Sequence, residues 1–163
     1  MATLLIVHHS PTRSMQALLE QVVAGANDEE IPGVEVIVRA ALEATSQDVL
    51  AADGYLLGST ANFGYMSGAL KHFFDSIFLQ VGGALDPDCA PGAGSAEQGA
   101  ATAGRPFGLW LHGRYDLTGA ERSVQSIVGA LGWRQGYDVL GVGGGGGGAG
   151  RGWGRVRGGG EGG

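Results

Sequence analysis

Residues 4–19, L-L-I-V-H-H-S-P-T-R-S-M-Q-A-L-L, have the pattern of a strand, a tight hydroxyl-rich loop and a helix. The apolar run at residues 4–7 is bounded by polar residues, as a buried strand would be. Apolar residues then recur at helical spacing, which predicts a helix over residues 14–27. The loop between them places hydroxyls and backbone N–H groups beside the positive end of a helix dipole, as in a phosphate site. An ordinary serine N-cap would give the same local pattern, so this stretch alone leaves both interpretations open.

The composition indicates one acidic domain. The chain has 163 residues, a formal net charge of -6 and a single cysteine, Cys89. This charge disfavours nucleic acid or an anionic membrane as a partner, and one cysteine excludes an internal disulfide framework. No apolar run is long enough to span a bilayer, and the short apolar N-terminus lacks the basic region of a signal peptide. We therefore expect a cytoplasmic protein.

The C-terminal residues are a different kind of sequence. Residues 141–163 contain 15 of the 33 glycines, together with three arginines and one glutamate. We divide the chain into a folded domain, residues 1–142, and a Gly/Arg-rich tail, residues 143–163, which we expect to be disordered. A reading-frame change in a GC-rich coding sequence would produce such a tail. An RGG-like appendage that contacts nucleic acid is the alternative.

Strand and helix patterns alternate along the domain. Strands are predicted at residues 4–7, 34–38, 54–59, 107–112 and 137–142, and helices at residues 14–27, 47–52, after 68 and 119–131. Residues 82–104 have no periodicity, which is typical of a functional or mobile loop. The alternation predicts an α/β fold with a parallel sheet and helices on both faces.

Three unusual loops follow strands of this sheet. Residues 10–14, 60–67 and 113–116 come after the first, third and fourth strands. Ligands of such sheets bind outside the carboxyl ends of the strands, and all three loops lie at that edge. The pattern predicts one site for a ligand with a phosphate and a flat polar ring.

Two motifs stand out: H-H-S-P-T-R-S-M after the first strand and N-F-G-Y-M-S-G-A-L-K-H-F-F-D after the third. They resemble the flavodoxin-like superfamily, and in particular its FMN-binding NAD(P)H:quinone oxidoreductases and FMN reductases. The resemblance covers about residues 3–142 and implies a three-layer sandwich with a five-stranded parallel sheet in the order 2-1-3-4-5. In the family pattern a last amphipathic helix packs beside the first. The tail stands in its place here, so we expect an uncovered apolar patch.

The resemblance also implies the residues that hold FMN. The phosphate would be surrounded by Ser10, Thr12, Arg13, Ser14 and Met15. The ring would lie along Thr60, Ala61, Asn62, Phe63 and Gly64, with Phe63 or Tyr65 beside it. The third loop, Gly113, Arg114, Tyr115 and Asp116, would close the far side, with Arg114 as a cation near the ring.

Other roles for several of these residues remain open. Phe63 could instead belong to the core under its loop, and Arg13 could simply face solvent. His112, at the end of the fourth strand, suits either a pocket-lining or a structural role. His8 and His9 lack a suitably spaced third ligand, so we expect loop hydrogen bonding there and no metal site.

The resemblance implies an FMN-dependent oxidoreductase that passes electrons from NAD(P)H to a quinone or flavin. The flavin would carry the chemistry, so no catalytic side chain is assigned. The alternatives are a flavodoxin-type electron carrier and a non-enzymatic interaction module that acts through the Gly/Arg tail. A small-molecule acceptor and a homo-oligomer are the expected partners; a membrane or nucleic acid is not expected.

Overall fold

A computed structural model describes residues 1–82 and 101–143. The strands are β1 (Ala2–His8), β2 (Val34–Ala40), β3 (Gly54–Asn62), β4 (Tyr65–Met66), β5 (Pro106–Gly113), β6 (Arg134–Gln135) and β7 (Leu140–Gly143), and the helices are α1 (Arg13–Ala26), α2 (Ser46–Ala51), α3 (Gly68–Val81) and α4 (Thr118–Ala130). The central part of the loop predicted at residues 82–104 and the tail from residue 144 onward lie outside the described residues.

The predicted sheet order is confirmed. The strands are hydrogen-bonded in the order β2-β1-β3-β5-β6, and β7 pairs with β5 along the same edge as β6. All of these pairings are parallel; the exception in the sheet is β4, which pairs antiparallel with β3. Because the long strands are parallel, the carboxyl ends of β1, β3 and β5 meet at one edge, as the loop argument requires.

Three of the predicted strands are too short at their C-terminal ends. β1 continues to His8, β3 to Asn62 and β5 to Gly113, whereas the predicted ends were residues 7, 59 and 112. The added residues are polar or small, so hydrophobic patterning does not mark them, but their backbones still pair with the neighbouring strand. The strands therefore extend into residues that were predicted to belong to the ligand-binding loops.

The fifth strand is not the continuous one predicted at residues 137–142. It is split into β6 and β7, and two residues of β5, 108 and 109, lie opposite four residues, 136–139. The interruption begins at Gly136, as is common for a glycine within a strand. Tyr137, predicted inside the strand, is 84% exposed in the interruption.

The two faces of the sheet are packed unequally. The face toward α3 and α4 carries the larger core, built around residues such as Leu57, Phe73 and Ile77. The face toward α1 buries Ile6, Met15 and Trp110 against the apolar side of that helix. Beside α1 the described residues leave an open apolar groove of about 390 Å³. This groove lies where the resemblance implied a last helix.

Arg105 holds the end of α2 against the sheet. Its Nη1 lies within hydrogen-bond distance of the carbonyl oxygens of Val49, Leu50 and Ala52 and of the Tyr55 hydroxyl. Those carbonyls belong to the last turn of α2, where backbone acceptors have no partner within the helix. One guanidinium therefore satisfies a helix terminus and a buried phenol together.

Replacing Arg105 with methionine should lower the free energy of unfolding by about 1.5–3 kcal/mol, because acceptors that are mostly part-buried lose a charged donor. Urea denaturation measures the change. The matched control is Arg39→Met. Arg39 makes an exposed ion pair with Asp48 at 3.3 Å, so its replacement should cost under about 1 kcal/mol. Equal losses in the two variants would contradict this role of Arg105.

Candidate functional site

The three loops form one cavity at the carboxyl edge of the sheet. Its volume is about 630 Å³, within the range of about 300–1,000 Å³ that is usual for small-molecule and cofactor sites. The lining residues are Thr12, Thr60, Ala61, Asn62, Phe63, Gly64, His112, Gly113, Arg114, Tyr115, Asp116 and Gly119. The structure therefore brings together residues that are about one hundred positions apart in the sequence.

Five of the predicted residues are not part of this lining: Ser10, Arg13, Ser14, Met15 and Tyr65. Met15 is fully buried on the sheet-facing side of α1. Ser10 lies within 3.0 Å of His8. Arg13 and Ser14 are exposed in the first turn of α1, and Tyr65 pairs with Asn62.

The first loop contains a helix cap, and the capping residue is Thr12 rather than a serine. Its hydroxyl accepts a hydrogen bond from the Met15 N–H at 3.2 Å. The N–H groups of Arg13 and Ser14 have no partner within the helix, because the first turn of any α-helix lacks preceding carbonyls. The cap and the anion site are thus compatible: Thr12 fixes the start of α1, and the remaining N–H groups can meet an anion.

His8 and Ser10 support the same loop. The His8 Nδ1 and the Ser10 Oγ are 3.0 Å apart. Burial, reinforced by the neighbouring His9, lowers the pKa of His8, although Glu43 acts in the opposite direction. A neutral His8 bonded to the loop agrees with the role in loop hydrogen bonding that the sequence predicted.

The second loop is a β-hairpin and not the open loop expected at residues 60–67. Asn62 and Tyr65 pair across a two-residue turn, Phe63 and Gly64, whose φ angles are +52° and +75°. Two positive φ angles are characteristic of the tight turns that suit hairpins. Phe63 is fully exposed at the tip, so its alternative assignment to the core is wrong.

Several hydrogen bonds hold the hairpin in place. The buried Ser59 hydroxyl donates to the Thr60 carbonyl and accepts from the Ser67 N–H at 2.9 Å. On the other side, the Met66 N–H donates to the Ser123 hydroxyl of α4 at 3.3 Å. The turn is therefore fixed between α3 and α4, which gives the cavity a positioned backbone wall.

Thr60 has an unpaired hydroxyl at the cavity. The residue is 7% exposed, and its Oγ1 has no hydrogen-bond partner among the described residues. A buried hydroxyl without a partner is costly, so such groups often mark a ligand or water position. Thr60 also belongs to the lining, so a buried hydroxyl without a partner stands in the cavity wall.

The third loop places a cation and an aromatic ring at the cavity mouth. The Arg114 guanidinium carbon is 5.8 Å from the centre of the Tyr115 ring, and Tyr115 is largely exposed. Asp116 accepts from both the hydroxyl and the N–H of Thr118, at 2.7 and 3.1 Å, and these bonds lower the pKa of its carboxyl. Asp116 therefore anchors the start of α4.

Two lining residues were absent from the predicted ligand-binding set. His112 is the last residue but one of β5, and its pocket-lining role was only one of two that its position allowed. Gly119 lies in α4, where nothing in the sequence sets it apart; a β-carbon there would be 2.1 Å from the Gly64 carbonyl oxygen. That close approach depends on the tertiary structure alone.

Within residues 1–82 and 101–143, no three His, Cys, Asp or Glu side chains are grouped as a metal site requires. None of the helices in these ranges has the length and hydropathy of a membrane span.

Known proteins show similarity at two levels. No family model matches the chain. A flavodoxin from Aquifex aeolicus is 36% identical over 86 residues, which are 53% of this chain and 45% of that protein, so the match spans under half of the relative's length.

Solved structures align over most of the chain at low identity. An archaeal flavodoxin has a TM-score of 0.63 at 14% identity, covering 86% of this chain and 82% of its own. An azoreductase from Bacillus anthracis has a TM-score of 0.61 at 12% identity, and the match covers 88% of each chain. An NADPH-quinone reductase from P. pentosaceus has a TM-score of 0.55 at 16% identity, and the match covers 88% of this chain and 86% of that one. Together with the sheet order, these similarities establish that the chain adopts the flavodoxin-like fold.

Proposed function

We propose that this protein is an FMN-dependent redox protein whose cofactor lies in the three-loop cavity. The observation that carries the proposal is the unpaired, buried Thr60 hydroxyl in a cavity that also receives the start of α1. A phosphate monoester would satisfy that hydroxyl and the free N–H groups of the helix together. The partial sequence match to a flavodoxin supports the same cofactor.

The other half of the cavity suits a flat polar ring. The backbone of residues 61–64 and the Gly113–Arg114 segment provide walls, and no bulky side chain stands at Gly64 or Gly113. The exposed Phe63 and Tyr115 flank the opening. Arg114 would place a positive charge near the ring and so favour its reduced, anionic form.

When bound, FMN supplies hydride and single-electron transfer, chemistry that no protein side chain provides. The contribution of the chain is to bind and orient the ring, to shield one side of it and to stabilise negative charge through Arg114. NAD(P)H is the proposed donor, and a quinone or second flavin the acceptor. Each would use the open side of the cavity in turn.

An electron carrier without its own substrate is the second candidate. The partial match to a flavodoxin favours it, and the formal net charge of -6 suits docking to a basic partner. Anaerobic mixing of the flavin-loaded protein with NADH or NADPH distinguishes the two. Rapid loss of visible flavin absorption, followed by its return when a quinone is added, supports the oxidoreductase. Persistent absorption that only a strong chemical reductant removes supports the carrier.

Thr60→Val tests the cofactor assignment through two effects of opposite sign. Without ligand, the variant should be more stable to urea by about 1 kcal/mol, because a buried unpaired hydroxyl is removed. Its affinity for FMN should fall about 10- to 100-fold, because a hydrogen bond to a charged oxygen is lost. Denaturation and flavin titration measure the two changes.

Thr3→Val is the matched control, since Thr3 lies on β1 at the opposite end of the sheet. It should leave FMN affinity unchanged. A Thr60→Val protein that binds FMN as tightly as the native one would refute the phosphate position.

A further inference from the structure

The side chain of His112 lies on the α1 side of the cavity. Trp110, two residues earlier in β5, packs against Ile6 and Met15 beneath α1. Because side chains alternate along a strand, His112 projects from the same face. Its partner in the parallel register is Thr60, which carries the unpaired hydroxyl.

Part of the cavity wall lies on the other face of the sheet. A β-carbon on Gly113 would point to that face, where it would meet Leu117 and Ala61 at 2.8 and 2.9 Å. Thr60 and His112 are paired on the α1 side, and Thr12, at the start of α1, lines the cavity with them. These three side chains are all able to donate a hydrogen bond.

Two polar side chains at this edge of the sheet already have hydrogen-bond partners. Asp116, the carboxylate among the lining residues, is held by Thr118. On β1, His8 is bonded to Ser10. The His112 ring makes no hydrogen bond to any residue within 1–82 or 101–143, and an imidazole carries at least one N–H whether neutral or protonated.

We propose that His112 is a phosphate-recognition residue: its ring N–H donates to the terminal phosphate of the ligand and makes the cavity selective for FMN over riboflavin. The proposal rests on the proposed function, because it assigns one end of the same cofactor. It adds a group from the end of β5 to a phosphate site that otherwise consists of Thr12, Thr60 and the first turn of α1.

The test compares the affinities for FMN and riboflavin, which share the ring and the ribityl chain and differ in the phosphate. The variants are His112→Leu, which removes the donor, and His112→Gln, which keeps an N–H. His72→Leu is the control, since His72 is exposed on α3. Thermal melting establishes that each variant is folded.

His112→Leu should lose about 10- to 100-fold in affinity for FMN and less than about threefold for riboflavin, with a smaller FMN loss in His112→Gln. Equal losses for the two flavins would overturn the proposal, because His112 would then act on the ring, the ribityl chain or the fold. Unchanged FMN affinity in His112→Leu would overturn it as well.

Inorganic phosphate separates this proposal from the flavin assignment. Should the native protein bind neither flavin, the FMN function fails. The phosphate-recognition role of His112 then stands if millimolar phosphate raises the melting temperature of the native protein but not of His112→Leu. It falls if phosphate affects both proteins equally or neither of them.

Discussion

Gly119→Ala should weaken FMN binding by about 100-fold or more while leaving the protein folded. The new β-carbon would lie 2.1 Å from the Gly64 carbonyl oxygen, so the hairpin turn has to move by about 1 Å to restore normal contact distances. The turn forms one wall of the cavity and is held by Ser59 and Ser123, which limits how it can adjust. Flavin titration gives the affinity, and circular dichroism confirms the fold.

Gly129→Ala is the control within the same helix. A β-carbon at Gly129 meets nothing within 4 Å, so this variant should bind FMN normally and gain about 0.5–1 kcal/mol of stability. If Gly119→Ala binds FMN like the control, the hairpin turn does not contact the ligand.

Gly58→Ala should cost about 3 kcal/mol or more of folding free energy, the largest stability effect we expect from a single methyl group in this chain. A β-carbon on Gly58 would lie 2.0 Å from the Trp110 ring. That ring cannot move away easily, since it is buried with Ile6 and Met15 beneath α1. Urea denaturation measures the loss.

Gly25→Ala, for which the new carbon meets nothing within 4 Å, should be neutral or stabilising. If Gly58→Ala does not fold, the double variant Gly58→Ala with Trp110→Leu tests whether the Trp110 ring excludes the new methyl group. Recovery of a folded protein in that variant confirms that the ring is the obstacle. A Gly58→Ala protein as stable as the native one would contradict the packing described for the α1 face.

Periodicity and loop position predicted the architecture well. Alternating strand and helix patterns require crossover connections, and these bring the ends of β1, β3 and β5 to one edge whatever the details of the side chains. The capping box of α2 has a local signature as well, because Thr45 and Asp48 stand at the spacing that such a cap requires.

Other features depend on tertiary structure and could not be read locally. The hairpin escaped prediction because each arm pairs over two residues and its turn places a phenylalanine at positive φ. Three hydroxyl residues compete for the cap of α1, and only the structure identifies Thr12. The side on which His112 projects follows from the register of β5.

Equilibrium dialysis of FMN against the purified chain, with riboflavin measured in parallel, tests whether the three-loop cavity is an FMN site. The proposed site predicts one FMN bound per chain, with riboflavin clearly weaker because it lacks the phosphate. If no FMN binds at about 1 mM, the affinity is too weak for a resident cofactor, and the assignment of the three-loop cavity to FMN is wrong.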